Sequence, residues 1–356
     1  MSEPVAYRSV ERFTLGDMES VWNILRGGSV IDWQRLYFET DDEIAEFLRV
    51  QGFDPDDADD MARVASIQHE SIEYLRRTFE YPIPRGVAEL DIFGLLKLAS
   101  TRGHRQVCAC VILKAIHTIH HLQGRELLYM VPMSDAQVFG LVEAKIFGVM
   151  GEMMSLRLPI AEFMGGRKSR DSLYTKLLSK SENIAAQVYD KLRFRVVTQT
   201  PDDTLAVLNY LSRRLFPFNF VIPGESKNTL VDPVALRARY ANVDTLLGHP
   251  LAHPNKVGAT ADVVDNKFSA RSYRVIHFVV DIPVRIPDEA IARAPEAARS
   301  LGKVVFVLVE FQLVDKVAAE ANEQGEASHA EYKERQRNAV RERLSLGGTM
   351  TGRRGQ

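Results

Sequence analysis

The segment "KVVFVLVEFQLV" at 303–314 constrains the fold of this chain more than any other stretch. Side chains alternate faces along a strand, so Val305, Val307, Val309, Phe311 and Leu313 form one wholly apolar face. The other face begins apolar with Phe306 and Leu308, then presents Glu310 and Gln312. A chain containing this run must build a sheet with at least one buried face. A carboxylate in mid-strand is costly to bury unless it is paired or bound to a metal. An edge strand facing water accommodates it equally well, and both readings stand at this point. A second strand is expected over 273–284, in "SYRVIHFVVDIPV". It puts Tyr273, Val275 and His277 on one face and Arg274, Ile276 and Phe278 on the other. The ring and the imidazole either line a pocket or belong to plain sheet surface.

The 356 residues suffice for two domains or one elaborated one. Hydrophobic residues make up 46% and charged ones 26%, as in ordinary globular proteins. The formal net charge of -2 implies no polyanionic partner, although a local basic patch is compatible with it. The two cysteines, Cys108 and Cys110, sit in an apolar run and read as small buried hydrophobes. They are too few for a disulfide framework, and a zinc site needs more ligands. No apolar signal segment opens the sequence and no window of eighteen apolar residues occurs, so a cytoplasmic protein without a membrane span is expected.

Residues 1 to about 130 read as helical. "DDEIAEFLRVQGF" and "DPDDADDMARVASIQHESIEYLRRTF" start on acidic residues suited to helix N-termini. The acidic run lacks the glycine and terminal glutamate of a calcium-binding EF-hand loop, so capping is the better reading. "ELDIFGLLKLAS" and "RQVCACVILKAIHTIHHLQG" follow as apolar helices, the latter expected to end at Gly124. His117, His120 and His121 lie on it without a carboxylate or cysteine at partner spacing, which favours a helix face over a metal site. "SDAQVFGLVEAKIFGVMGEMMSLRL" is a long capped helix. "KLRFRVVTQT" is β-rich, "DDTLAVLNYLSRRLF" is an amphipathic helix, and "FNFVI" is a short strand. Residues 224–266 are turn-rich, as in a functional loop or insertion. A charged helix runs to about 345, and 346–356 read as a disordered tail. The fold class is α+β: a mixed β-sheet, nucleotidyltransferase-like domain over 131–345, flanked by helices and preceded by an all-α region over 1–130.

Two further groups carry chemistry. Lys168, Ser172 and Lys176 are spaced i, i+4, i+8 and line one face if the helix reaches back to Lys168. They make either a polyphosphate cradle or a solvated basic face. Asp190 stands at the mouth of a strand that places Arg193 and Arg195 on one face. Together with Glu310, Tyr273 and His277, these residues are the inventory for phosphoryl-type transfer between nucleotides. Carboxylates hold magnesium, cations neutralise oxygens, and a ring stacks a base.

The order of these motifs resembles the synthetase domain of the RelA/SpoT family, the (p)ppGpp synthetases. "KSRDSLYTK", "DKLRFR", "YRVIH", "EFQL" and "NEQGEASHAEYK" follow the family's sequence of motifs over about residues 150–340, with Glu323, Gly325, His329, Tyr332 and Lys333 in the last. The resemblance implies magnesium-dependent transfer of pyrophosphate from ATP to the 3′-hydroxyl of GTP or GDP, giving an alarmone of the (p)ppGpp type and AMP. It implies Asp190 and Glu310 as metal ligands, with Glu310 also acting as base toward the 3′-hydroxyl. Lys168, Ser172 and Lys176 would hold the ATP phosphates and Arg195 would lie against adenine. Tyr273 would stack the acceptor base, with His277, Gln312 and Lys267 completing the acceptor side.

This chain also departs from the family. Gly166 stands where the first arginine belongs, leaving Arg167 or Arg170 to substitute. Arg193 replaces a glycine, Arg271 and Ser272 replace the Asn-Gly before the tyrosine, and Val314 replaces an arginine. The proline-lysine is missing at its usual distance, with Lys267 the nearest candidate, and about forty residues are inserted before the tyrosine strand. The departures gather on the acceptor side, so ATP or an RNA end is open as acceptor. A relative that binds nucleotide without catalysis is open as well. No His-Asp dipeptide occurs, so no alarmone hydrolysis is expected. The N-terminal helices are assigned to regulation or homo-oligomerisation.

Overall fold

The computed structural model describes residues 7–26, 37–179, 191–240, 242, 245, 272–324 and 329–351. Asp190, Lys267, Arg271, Gly325 and most of the expected insertion lie outside these residues. Among the described residues seven α-helices precede the first strand: α1 (Leu15–Arg26), α2 (Asp41–Val50), α3 (Ala58–Phe79), α4 (Arg85–Ala88), α5 (Ile92–Ala99), α6 (His104–Met130) and α7 (Asp135–Ser155). Their starts follow from capping. Thr40, Asp57 and Asp91 each accept a backbone N–H of the first turn, and Ser134 with Gln137 forms a capping box.

The sheet contains β1 (Ile160–Arg167), β2 (Leu192–Thr198), β3 (Lys227–Asn228), β4 (Ile276–Arg285) and β5 (Val304–Asp315), in the order β1-β2-β5-β4-β3. β2 and β5 are parallel and the other neighbours antiparallel, so the sheet is mixed. Helix α8 (Arg170–Ser179) joins β1 to β2, and α9 (Pro201–Arg214) and α10 (Pro233–Arg239) follow β2. Two short helices, α11 (Asp288–Arg293) and α12 (Glu296–Arg299), bridge β4 and β5, and α13 (Lys316–Asn322) and α14 (His329–Thr351) close the chain. The last helix runs into the segment expected to be a tail.

β5 lies between β2 and β4, which removes the edge-strand reading of Glu310. Phe311 stacks between Phe194 and Phe278 on the core face, at 5.9 and 5.5 Å between ring centres. One apolar cluster joins this face to the N-terminal helices through residues such as Met18, Ile44, Ile67, Leu95 and Ile112. The helical region therefore shares its core with the sheet. Among the described residues no helix is long and apolar enough to cross a membrane.

Four local expectations change. α6 does not stop at Gly124. A Cβ there would meet the Phe306 ring and come within 2.8 Å of the Val304 carbonyl oxygen, so the glycine serves close helix–strand approach inside a continuing helix. "FNFVI" forms a 3-10 turn at Phe218–Phe220, with Val221 making an isolated bridge to Val280. The end of the long helix at 134–158 turns at Arg157, in the left-handed region, and leads into the unanticipated strand β1. The strand expected from Tyr273 begins at Ile276.

Candidate active site

The face of the sheet opposite the Phe194–Phe278–Phe311 stack is polar, and the register sets its pattern. Arg193 stands beside Glu310, and Arg195 beside Gln312, across β2 and β5. Gln312 faces His277 across β4, and His277 faces Lys227 across β3. Neighbours across a ladder project to the same side. Arg195, Gln312, His277 and Lys227 therefore form one row across four strands, with Arg193 and Glu310 in the next. Val197, Val314 and Val275 close the face with a small apolar patch against which Tyr273 packs.

Glu310 is the centre of this face and only 3% exposed. Gln312 Nε2 donates to its Oε1 at 2.9 Å, and His277 Nε2 lies 3.2 Å from the same oxygen. Arg193 Nε is 2.9 Å from Oε1 with its N–H off the line, so this contact is ionic. Lys168 Nζ is 3.5 Å from Oε2. Burial alone would raise the Glu310 carboxyl. The Arg193 guanidinium, the His277 hydrogen bond and the Lys168 ammonium outweigh it and hold the group well below the usual carboxylate range. Burial raises the Tyr273 phenol against the pull of Arg195 and Arg193, so the hydroxyl keeps its proton.

Lys168 reaches this site from a different element than expected. Its backbone N–H donates to the Lys191 carbonyl at 2.9 Å, extending the ladder beyond β1, while Ser169 caps α8 by accepting from Ser172 N at 3.3 Å. The helix starts at Arg170, so only Ser172 and Lys176 lie on it, and Ser172 is exposed. Of the two substitutes for the missing first arginine, Arg167 is committed elsewhere. It pairs with Glu143 at 2.8 Å and donates to the Ala136 carbonyl. Arg195 lies 3.5 Å from the exposed Glu323, beside Tyr273.

The sequence paired Arg193 with Arg195, Glu310 with Gln312 and Tyr273 with His277 strand by strand; the register brings Arg193, Arg195, His277, Glu310 and Gln312 onto one face and adds Lys227, which the sequence did not single out. A two-residue strand has no period to read. The expected carboxylate pair is represented here by Glu310 alone, Asp190 being outside the described residues. Among those residues no three His, Cys, Asp or Glu side chains converge on a metal position. His117 and His120 are buried in the helical layer, where burial lowers each to a pKa of about 3, and both remain neutral. Two small cavities, of about 30 and 60 Å³, also lie among the helices and away from the polar face.

No family model and no curated protein matches this sequence. Several solved structures are similar in chain course. Small alarmone synthetase 1 from Bacillus subtilis, bound to its product pppGpp, is 18% identical over 62% of this chain and 92% of its own, with a TM-score of 0.33. Small alarmone synthetase 2 from the same organism is 16% identical over 64% and 95%, with a TM-score of 0.28. A GTP pyrophosphokinase family protein from Streptococcus pneumoniae is 17% identical over 62% and 88%, also at 0.28.

Proposed function

We propose that this chain transfers pyrophosphate from ATP to the 3′-hydroxyl of a nucleotide acceptor, GTP or GDP, on the polar face of the sheet. The observation that carries the reading is Glu310: a carboxylate kept ionised in the middle of the sheet, surrounded by Lys168, Arg193 and His277, with Tyr273 close by. Fixed cations around an ionised carboxylate suit the meeting of two polyanions, because they offset phosphate charge without reorganising during the reaction.

In this reading the acceptor's 3′-oxygen attacks the β-phosphorus of ATP. The bond between the α–β bridging oxygen and that phosphorus breaks, AMP leaves, and the hydroxyl proton passes to a base. Lys168, with Ser172 and Lys176 on α8, holds the donor phosphates, and Arg195 lies against adenine. Tyr273 stacks the acceptor base, while His277, Gln312 and the newly located Lys227 line the acceptor's side. Glu310 orients the 3′-hydroxyl and accepts its proton. Its depressed pKa makes it a weak base that stays ionised well below pH 4.5.

We assign magnesium to Glu310 Oε2, because Gln312, His277 and Arg193 approach Oε1 while Lys168 lies 3.5 Å from Oε2, and magnesium commonly takes one or two carboxylates plus phosphates and water. Glu310, with Asp190 as the second ligand, would hold the ion, which would supply charge neutralisation at the phosphates.

The test is a product assay with purified protein, magnesium, labelled ATP, and GTP, GDP, ATP or RNA as acceptor. Acceptor-dependent AMP release, with the label recovered on a 3′-position, is expected for GTP or GDP. Label on ATP or RNA instead replaces the acceptor, and absence of AMP release with all of them overturns the enzymatic reading.

A further inference from the structure

We infer that Asn322 and Thr229 form a side-chain clamp that positions Tyr273. The inference rests on the proposed role of Tyr273 as the acceptor stack. The sheet ladder stops at Ile276, leaving the backbone of 273–275 to find other partners. It finds two side chains and one backbone amide. Asn322 Oδ1 accepts from Arg274 N at 2.9 Å, and Asn322 Nδ2 donates to the Arg274 carbonyl at 2.7 Å. The paired donor and acceptor fix the orientation of this amide, which is 3% exposed. Thr229 Oγ1 donates to the Tyr273 carbonyl at 2.8 Å and accepts from Val275 N at 2.9 Å, while Thr229 N donates to the Val275 carbonyl at 2.9 Å.

The clamp therefore continues a strand by means of side chains just where the aromatic residue sits. Its two halves come from opposite sides of the site. Thr229 follows directly on β3, which carries Lys227. Asn322 ends α13, whose start Asp315 caps by accepting from Val317 N and Ala318 N, and α13 grows directly out of β5, which carries Glu310 and Gln312. The next residue, Glu323, pairs with Arg195. The end of α13 thus fixes both the tyrosine on the acceptor side and the arginine on the donor side. Ordering the ring before the nucleotide arrives removes that ordering from the cost of binding. Asn322 and Thr229 are positioning residues and touch no substrate in this scheme.

The experiment measures calorimetric binding of GDP and of α,β-methylene-ATP, together with amide hydrogen exchange, for wild type, Asn322→Ala, Thr229→Val, Thr229→Ser, Tyr273→Ala and the double variant Asn322→Ala/Tyr273→Ala. Asn322→Ala is expected to expose the Arg274 amide to exchange and Thr229→Val the Val275 amide. Each should weaken GDP binding about tenfold, within the range for losing one base–aromatic stack, and leave the ATP analogue within about twofold. Thr229→Ser should behave as wild type. In the Tyr273→Ala background Asn322→Ala should cost nothing further, because the clamp acts only through the ring. Wild-type-like GDP binding in the clamp variants, equal loss of both nucleotides, or additive losses in the double variant overturns the positioning role. Wild type that binds neither nucleotide overturns the proposed function, and the clamp's role with it.

Discussion

At the residue scale, Glu310 decides how the site is understood. Taking a carboxylate out of water costs several kcal/mol, and here two cations, an imidazole and an amide offset that cost. If Asp190 and Glu310 were two carboxylates sharing an absent metal, they would repel, and neutralising either would leave apo stability unchanged or slightly raised. The cation cluster reverses this for Glu310. Glu310→Gln is expected to destabilise the apo protein by about 3–5 kcal/mol, as when one partner of a buried ion pair is removed. It should also lower transfer at least about a hundredfold. Chemical denaturation with and without magnesium-ATP checks both effects. A variant that keeps wild-type turnover would remove Glu310 from the chemistry whatever its stability. Lys227→Met tests the residue that the sequence concealed. It should weaken GDP binding about tenfold, the loss of one hydrogen bond to a charged group, and leave ATP binding unchanged by calorimetry.

At the element scale, what was legible followed the length of the period. β2 and β5 run for seven and twelve residues, and polar residues two apart, Arg193 with Arg195 and Glu310 with Gln312, mark their faces in otherwise apolar runs. β3, with two residues, has no such signal. β1 was hidden because its edge position leaves most of its side chains exposed, so burial imposes no clean alternation. Lys168 was placed on α8 because its spacing to Ser172 and Lys176 is helical, but Ser169 is the better cap and starts the helix after it. Gly124 misled for a related reason: glycine ends many helices, and here it admits a strand. Gly124→Ala tests the close approach. In a helix interior propensity alone would favour alanine by about 1 kcal/mol. Contact with Phe306 and Val304 predicts instead a net loss of about 1–3 kcal/mol in urea denaturation, from overpacking.

At the scale of the whole molecule, the common core of helices and sheet carries titratable groups that the site does not use, and these set how stability follows pH. His117 and His120 have folded pKa values of about 3 against an ordinary 6.5, chiefly through burial. The unfolded chain binds more protons between those values, so stability falls as pH drops from about 6.5 toward 3, by up to about 1.4 kcal/mol per pH unit for each histidine.

Lys145 adds a second window. Lys145 is half-buried, its ammonium donates to the Pro283 carbonyl at 2.8 Å, and burial brings its pKa down to about 7 from 10.5. Between those values the unfolded chain again holds the extra proton, so stability rises with pH above 7, by up to about 1.4 kcal/mol per unit. Cys108 and the buried phenols of Tyr7, Tyr210 and Tyr240 are raised by burial and act in the opposite sense at higher pH. The clean window is therefore pH 7–9. Urea denaturation across pH 4–9 should show wild-type stability rising through both windows. Lys145→Met replaces the ammonium by an apolar end of similar length. It should raise stability at pH 7 and flatten the curve from 7 to 9, while the fall below 6.5 persists. A wild-type curve that is flat between pH 7 and 9 would show that Lys145 keeps its proton in the folded protein and that burial does not lower its pKa.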